Sequence, residues 1–182
     1  MSEILINNNF GLTNKIIRSI WSVIYYSLFR FSPIPLFSYR NFILKLFGAT
    51  IGNNVKIYPS VKIWLPSNLV IGENSCLGRN VHCYNQAKIT IKKNVVISQF
   101  SYLCASSHDY SKSTFPLLLL PIVIEDSCWV CADAFVGPGV KLKTGTIIGA
   151  RCCITKNTKS WSVYIGNPGK FLKSRRKISY SF

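Results

Sequence analysis

Ile51-Gly-Asn-Asn-Val-Lys-Ile57-Tyr-Pro-Ser-Val-Lys-Ile63 sets the period that decides the fold. A large apolar residue, or once a cysteine, recurs every six positions. The series runs Ile51, Ile57, Ile63; Ile71, Leu77, Cys83; Ile91, Ile97, Leu103; Ile124, Val130, Val136; Leu142, Ile148, Ile154. Four residues after each stands a small or β-branched residue, from Val55 and Val61 through Ser67, Ala87 and Ser107 to Cys152 and Thr158. A six-residue period predicts short strands joined by turns, three to a coil, as in a parallel β-helix. The apolar positions fill the interior and the small ones the corners. Gly52, Gly72, Gly78, Gly137 and Gly149 follow apolar positions and are expected where the backbone turns. Coils starting at Ile51, Ile71 and Ile91 are 20 residues apart, so two extra residues sit at one corner of each. About five coils, at roughly 4.8 Å each, make a prism about 24 Å long.

The array leaves its register at length only once, between Ser107 and Ile124. A long insertion in a regular solenoid usually carries function. His108 stands at its mouth, and the loop spans 109–123. The run Leu117 to Leu120 is too apolar to hang in water and is expected to lie against something, most simply a neighbouring subunit.

Composition narrows the partners. Lys plus Arg number 22 against 6 Asp plus Glu, a net charge of +16. That balance predicts anionic partners. The basic residues gather at the two ends of the chain rather than along one stripe, which argues against nucleic acid. Cys83, Cys128 and Cys152 fall on interior positions of the repeat, so the seven cysteines do not read as a disulfide or zinc framework. Cys128 and Cys131 fall on opposite phases of the repeat. The polar, acidic start shows no signal peptide, and free thiols suggest the cytoplasm.

Three regions follow. Residues 1–50 form a basic, aromatic, helical segment whose first twelve residues are expected to be loosely held. Thr13 or Asn14 is the expected cap of a first helix ending at Ser32-Pro33. A second runs from about Leu36 to Phe47 and stops at Gly48. The segment is too short and too charged to cross a bilayer. It either caps the open end of the solenoid or lies as an amphipathic hairpin on an anionic leaflet, and one hairpin can do both. Residues 51–160 are the repeat domain, and 161–182 a basic tail.

Three stretches resemble the left-handed parallel β-helix (hexapeptide-repeat) acyltransferases. They are Ser107-His108-Asp109-Tyr110; Trp129-Val130 with Val136-Gly137-Pro138-Gly139-Val140; and Ile148-Gly149-Ala150 with Ile154-Thr155-Lys156 and Gly166-Asn167-Pro168. The basic N-terminal segment and Ile57-Tyr58-Pro59-Ser60 are most similar to the colanic acid biosynthesis acetyltransferases. The resemblance implies an all-β solenoid with left-handed coils behind a short helical segment, and a homotrimer with active sites between subunits. It also implies acetyl transfer from acetyl-CoA to a sugar hydroxyl without a metal.

Such chemistry needs a base for the hydroxyl proton, and histidine suits that role. Of the two histidines, His82 reads as a surface corner residue and His108 as the base. Asp109 is next in sequence and is placed to orient it. The resemblance also implies an asparagine that positions the acceptor: Asn85, favoured over Asn80, with Tyr84 beside it one coil earlier. The resemblance assigns coenzyme A to Trp129, Ala132, Ala150, Thr155 and Lys156, with Lys173 and Arg175 toward its phosphates. The acceptor is then an exopolysaccharide or capsule precursor, free or lipid-linked, met in the cytoplasm or at the inner face of the membrane. A small sugar or xenobiotic acceptor, and a non-catalytic membrane-associated scaffold, are the alternatives. A zinc carbonic anhydrase on the same prism needs three histidines, and the chain has two.

Overall fold

The computed structural model describes residues 5–6 and 10–178. Most of the expected loose start lies outside those residues, as do the last four of the tail. The rest is a left-handed parallel β-helix with a helical segment packed on its first coil.

Each coil contributes one short strand to each of three parallel faces. Face one stacks Thr50–Ile51, Leu69–Ile71, Ile89–Ile91, Ile122–Ile124 and Lys141–Leu142. Face two stacks Lys56–Ile57, Cys76–Leu77, Val96–Ile97, Trp129–Val130 and Ile147–Ile148, then Ser162–Ile165. Face three stacks Lys62–Ile63, His82–Tyr84, Tyr102–Cys104, Phe135–Val136 and Cys153–Ile154. There are thus five full coils and the start of a sixth, more than the repeat predicts. The parallel ladder runs past residue 160 into Ser162–Ile165, and Lys170–Ser174 folds back on it antiparallel.

All fifteen apolar positions are buried. Each large one removes enough hydrocarbon from water to be worth roughly 1.5–3 kcal/mol. The corner positions follow except Ser67 and Ser107, which are exposed. There the two extra residues shift the phase, and Leu65, Asn85 and Ala105 turn inward instead. The glycine expectation needs a correction. Gly52 and Gly72 do not take the left-handed turn; Asn54, Asn74 and Asn94 do, at φ 53°, 57° and 56°. Those glycines exist because coils touch: a Cβ on Gly72 would meet the Lys92 carbonyl carbon at 2.6 Å.

Before the first coil come α1 (Leu12–Ile24), a π turn (Tyr25–Phe29) and α2 (Phe37–Leu46). Neither Thr13 nor Asn14 caps α1; Gly11 precedes it, and no side chain caps it. No described helix is long and apolar enough to cross a membrane.

The segment closes the open edge of coil one. A first strand has no coil below it, so its outward-facing carbonyls need donors. Trp21 Nε1 donates to the Ile63 carbonyl at 2.8 Å, and Asn41 Nδ2 to Val55 at 2.8 Å. Arg40, fully buried at 0% exposure, donates through Nε to the Ile57 carbonyl at 2.6 Å. Its other nitrogens hold the carbonyls of Pro33 and Ile34 and the Ser32 hydroxyl. No carboxylate meets it among the described residues, and burial lowers its pKa.

Replacing Arg40 by methionine keeps the bulk but strands three carbonyls. Urea unfolding should show a loss of about 3 kcal/mol or more. A loss under about 1 kcal/mol would mean that water replaces the guanidinium at no cost.

Candidate active site

The excursion after coil three is a hairpin. Ser106–His108 pairs antiparallel with Leu117–Leu119, and Leu5–Ile6 adds a third strand beyond it. Leu119 is buried and Leu117 packs against the core. The apolar run is therefore covered in part by its own chain; no second subunit is needed to explain Leu119.

His108 ends the outgoing strand and is exposed. Its Nδ1 lies 2.6 Å from the Phe115 carbonyl. A carbonyl only accepts, so Nδ1 donates to it, and in a neutral ring Nε2 is the nitrogen left with a lone pair. Phe115 reaches this position through a left-handed backbone, φ 43°. That cost is accepted at functional sites more often than elsewhere.

Asp109 does not do what its position suggests. Its carboxylate accepts from the Ser111 hydroxyl and, at 3.1 Å, from the Ser111 N–H, and it lies 3.7 Å from Lys112 Nζ. The Ser111 hydrogen bonds hold its pKa below the usual range. It braces the loop, and the Phe115 main chain orients the histidine. A main-chain carbonyl has no sequence signature, which is why this partner is invisible in the sequence.

Asn85 does not face an acceptor either. It is fully buried. Its Oδ1 accepts from Trp64 N–H at 3.0 Å and Leu65 N–H at 3.2 Å, and its Nδ2 donates to the Leu65 carbonyl at 2.6 Å. It staples coil two to coil one and presents nothing to an acceptor. Tyr84 does face outward, on face three, with His82 and Tyr102 rings centred 5.9 and 6.2 Å away. His82 is a half-buried strand residue in that aromatic group, not a corner residue; desolvation and then Lys62 lower its pKa.

The expected coenzyme residues separate into three places. Thr155 and Lys156 are exposed at the far end of face three, on the corner that launches the hairpin two coils earlier. Ala132 and Ala150 stack at the corner between faces two and three, where Arg151 N–H donates to the Ala132 carbonyl at 3.0 Å. Trp129, half exposed, lies on face two with Nε1 donating to the Ser98 hydroxyl at 2.9 Å, and Lys173 lies on the last strand of that face. Arg175 is engaged at the Ser127 and Gly145 carbonyls, both 3.2 Å, so it is pinned along the corner between faces one and two. One chain alone does not gather these groups around His108. Among the described residues no three His, Cys, Asp or Glu side chains gather to hold a metal.

Solved structures place the architecture. The fold matches a maltose O-acetyltransferase from Clostridium difficile 630 at TM-score 0.83 and 20% identity, covering 92% of this chain and 90% of that one. It also matches the hexapeptide-repeat acetyltransferase VCA0836 of Vibrio cholerae, solved with acetyl coenzyme A, at TM-score 0.81 and 19% identity, over 92% and 91% of the chains. The fold is that of the hexapeptide-repeat acetyltransferases. In sequence, the chain is 40% identical over 162 residues to the colanic acid biosynthesis acetyltransferase WcaF of Escherichia coli K12, covering 89% of each. No protein-family model matches the chain. By that identity and coverage, the chain belongs to the WcaF family of acetyltransferases.

Asp109→Asn tests the brace. An acceptor oxygen remains for Ser111, so acetyl transfer should stay within a few-fold of wild type. A carboxylate that polarised His108 would cost on the order of 10⁴-fold when made an amide.

Proposed function

We propose that the protein moves an acetyl group from acetyl-CoA to a sugar hydroxyl of an exopolysaccharide or capsule precursor, with His108 as general base. The observation that carries this reading is the Nδ1 contact with the Phe115 carbonyl at 2.6 Å. It leaves Nε2 as the only basic nitrogen, exposed at the tip of a strand. Nε2 takes the hydroxyl proton as the oxygen attacks the thioester carbonyl. The tetrahedral intermediate collapses, the C–S bond breaks, and the coenzyme thiolate recovers that proton from the imidazolium. Nδ1 keeps its proton and its carbonyl throughout, so the ring does not turn during the cycle.

The donor reading is supported by the family and by the acetyl coenzyme A bound to a structural neighbour. In this reading two copies complete each site of a homotrimer. The hairpin of one prism meets the coenzyme groups of the next, which is why Trp129, Ala132, Ala150 and Lys173 stand away from His108 within one chain. Thr155 and Lys156 share its corner and complete the coenzyme contacts.

The acceptor reading extends to a lipid-linked saccharide met at the inner face of the membrane. α1 exposes Leu12, Ile16, Ile20 and Val23, and no acid falls between Glu3 and Glu73. An apolar face flanked only by cations suits an anionic leaflet.

His108→Ala should lower acetyl transfer by about 10²-fold or more while calorimetric titration still shows acetyl-CoA binding. Unchanged turnover would remove His108 from the mechanism, and a wild type that binds no acetyl-CoA would sink the donor assignment.

A further inference from the structure

A cleft of about 590 Å³ opens between α1 and the first strand of face three. Its size is that of a small-ligand site. Within one chain it lies at the first strand of face three, while Thr155 and Lys156 follow the last. Lys15 and Arg18 enter it from α1 and Lys62 from the strand, while Trp21, Tyr25 and Trp64 supply aromatic walls.

Three features point to a ligand. The lining carries three cations and no acid, and none of the three has an ion-pair partner among the described residues. Like charges converging on one space repel, and an anion between them relieves that repulsion. The Arg18 guanidinium is already held in place, its carbon 4.1 Å above the Trp64 ring. The third feature is Tyr25. It is 6% exposed, and its hydroxyl is buried with no hydrogen-bond partner. Buried hydroxyls are usually satisfied, and this residue lines the cleft.

We infer that this cleft binds the phosphate or diphosphate of a phosphorylated saccharide, an inference that rests on the sugar-acceptor reading above. Arg and Lys side chains recognise phosphate by charge-assisted hydrogen bonds. Position links the cleft to the reacting hydroxyl. Ile63, Cys83 and Leu103 stack on face three in successive coils, with Trp64, Tyr84 and Cys104 next along each coil, and Ser106 then starts the strand that carries His108. Two coil spacings, roughly 10 Å, separate the cleft from the base of that hairpin. The rings of Tyr84, His82 and Tyr102 cover the interval, an aromatic surface on which sugar rings can pack. The phosphate anchors one end of the acceptor and the saccharide lies across the rings toward His108.

The test is binding of three probes to the full-length protein, followed by calorimetry or tryptophan fluorescence: inorganic pyrophosphate, UDP-glucose, and phosphatidylcholine vesicles with or without a polyprenyl diphosphate. Wild type should bind pyrophosphate. Arg18→Gln with Lys62→Gln should weaken that binding by about 100-fold and leave acetyl-CoA binding unchanged. If the double variant melts early, Lys62→Gln alone serves, since Lys62 is exposed; it should weaken pyrophosphate by about 10-fold. His108→Ala should bind pyrophosphate as wild type does, which separates failure of this site from failure of the base. Preference for UDP-glucose or for the polyprenyl diphosphate identifies the carrier, and either supports the site. Wild type binding no probe, or variants binding pyrophosphate unchanged, overturns it.

Discussion

An unpaired coil edge is the constraint on which this structure depends. Stacked coils satisfy one another's backbone groups, but the first and last coils have a neighbour on one side only. At the N-terminal end the solution is a set of side-chain donors, Trp21, Arg40 and Asn41, each reaching a carbonyl of coil one. At the C-terminal end it is main chain: Lys170–Ser174 folds back onto Ser162–Ile165, and Arg175 secures it. The basic character of both termini, which invites an electrostatic reading, is thus partly architectural. Arg40 and Arg175 act on carbonyls, while Lys15, Arg18 and Lys62 have no ion-pair partner among the described residues.

The same ladder explains where chemistry sits. Within the array each strand is held on two sides and has no freedom to present a side chain differently from its neighbours. Only where the chain leaves the stack, after Ala105, does the backbone have room for a hairpin and for the left-handed Phe115 that meets His108. The coil above resumes at Ile122, in register with Ile89. The excursion is therefore inserted without disturbing the core.

Much of the fold was legible because burial imposes a strict period. Every apolar hexad residue from Ile51 to Ile154 is inside. The errors fall where the period is broken. Two extra residues per coil move Leu65, Asn85 and Ala105 inward and Ser67 and Ser107 outward. This is why Asn85 looked like a surface ligand and is a buried staple. Asp109 misled because adjacency along a strand end is not proximity of side chains. The turn asparagines at 54, 74 and 94 were readable in principle, since asparagine tolerates positive φ. The role of Arg40 was not, because nothing in a local pattern says which helix residue will meet a strand seventeen positions away. The cationic cleft was hidden for the same reason: Lys62 belongs to the repeat and Arg18 to the helix.

The hold on His108 by a main-chain carbonyl has a consequence for inheritance. An orienting carboxylate is a single codon and can be lost in one step. The Phe115 carbonyl is present whatever side chain stands at 115, so no point substitution deletes the acceptor; only a change in the path of the loop does. Selection on this site therefore acts on the shape of a hairpin. The residues along it are free to drift, or to adapt to a new acceptor, as long as that shape persists.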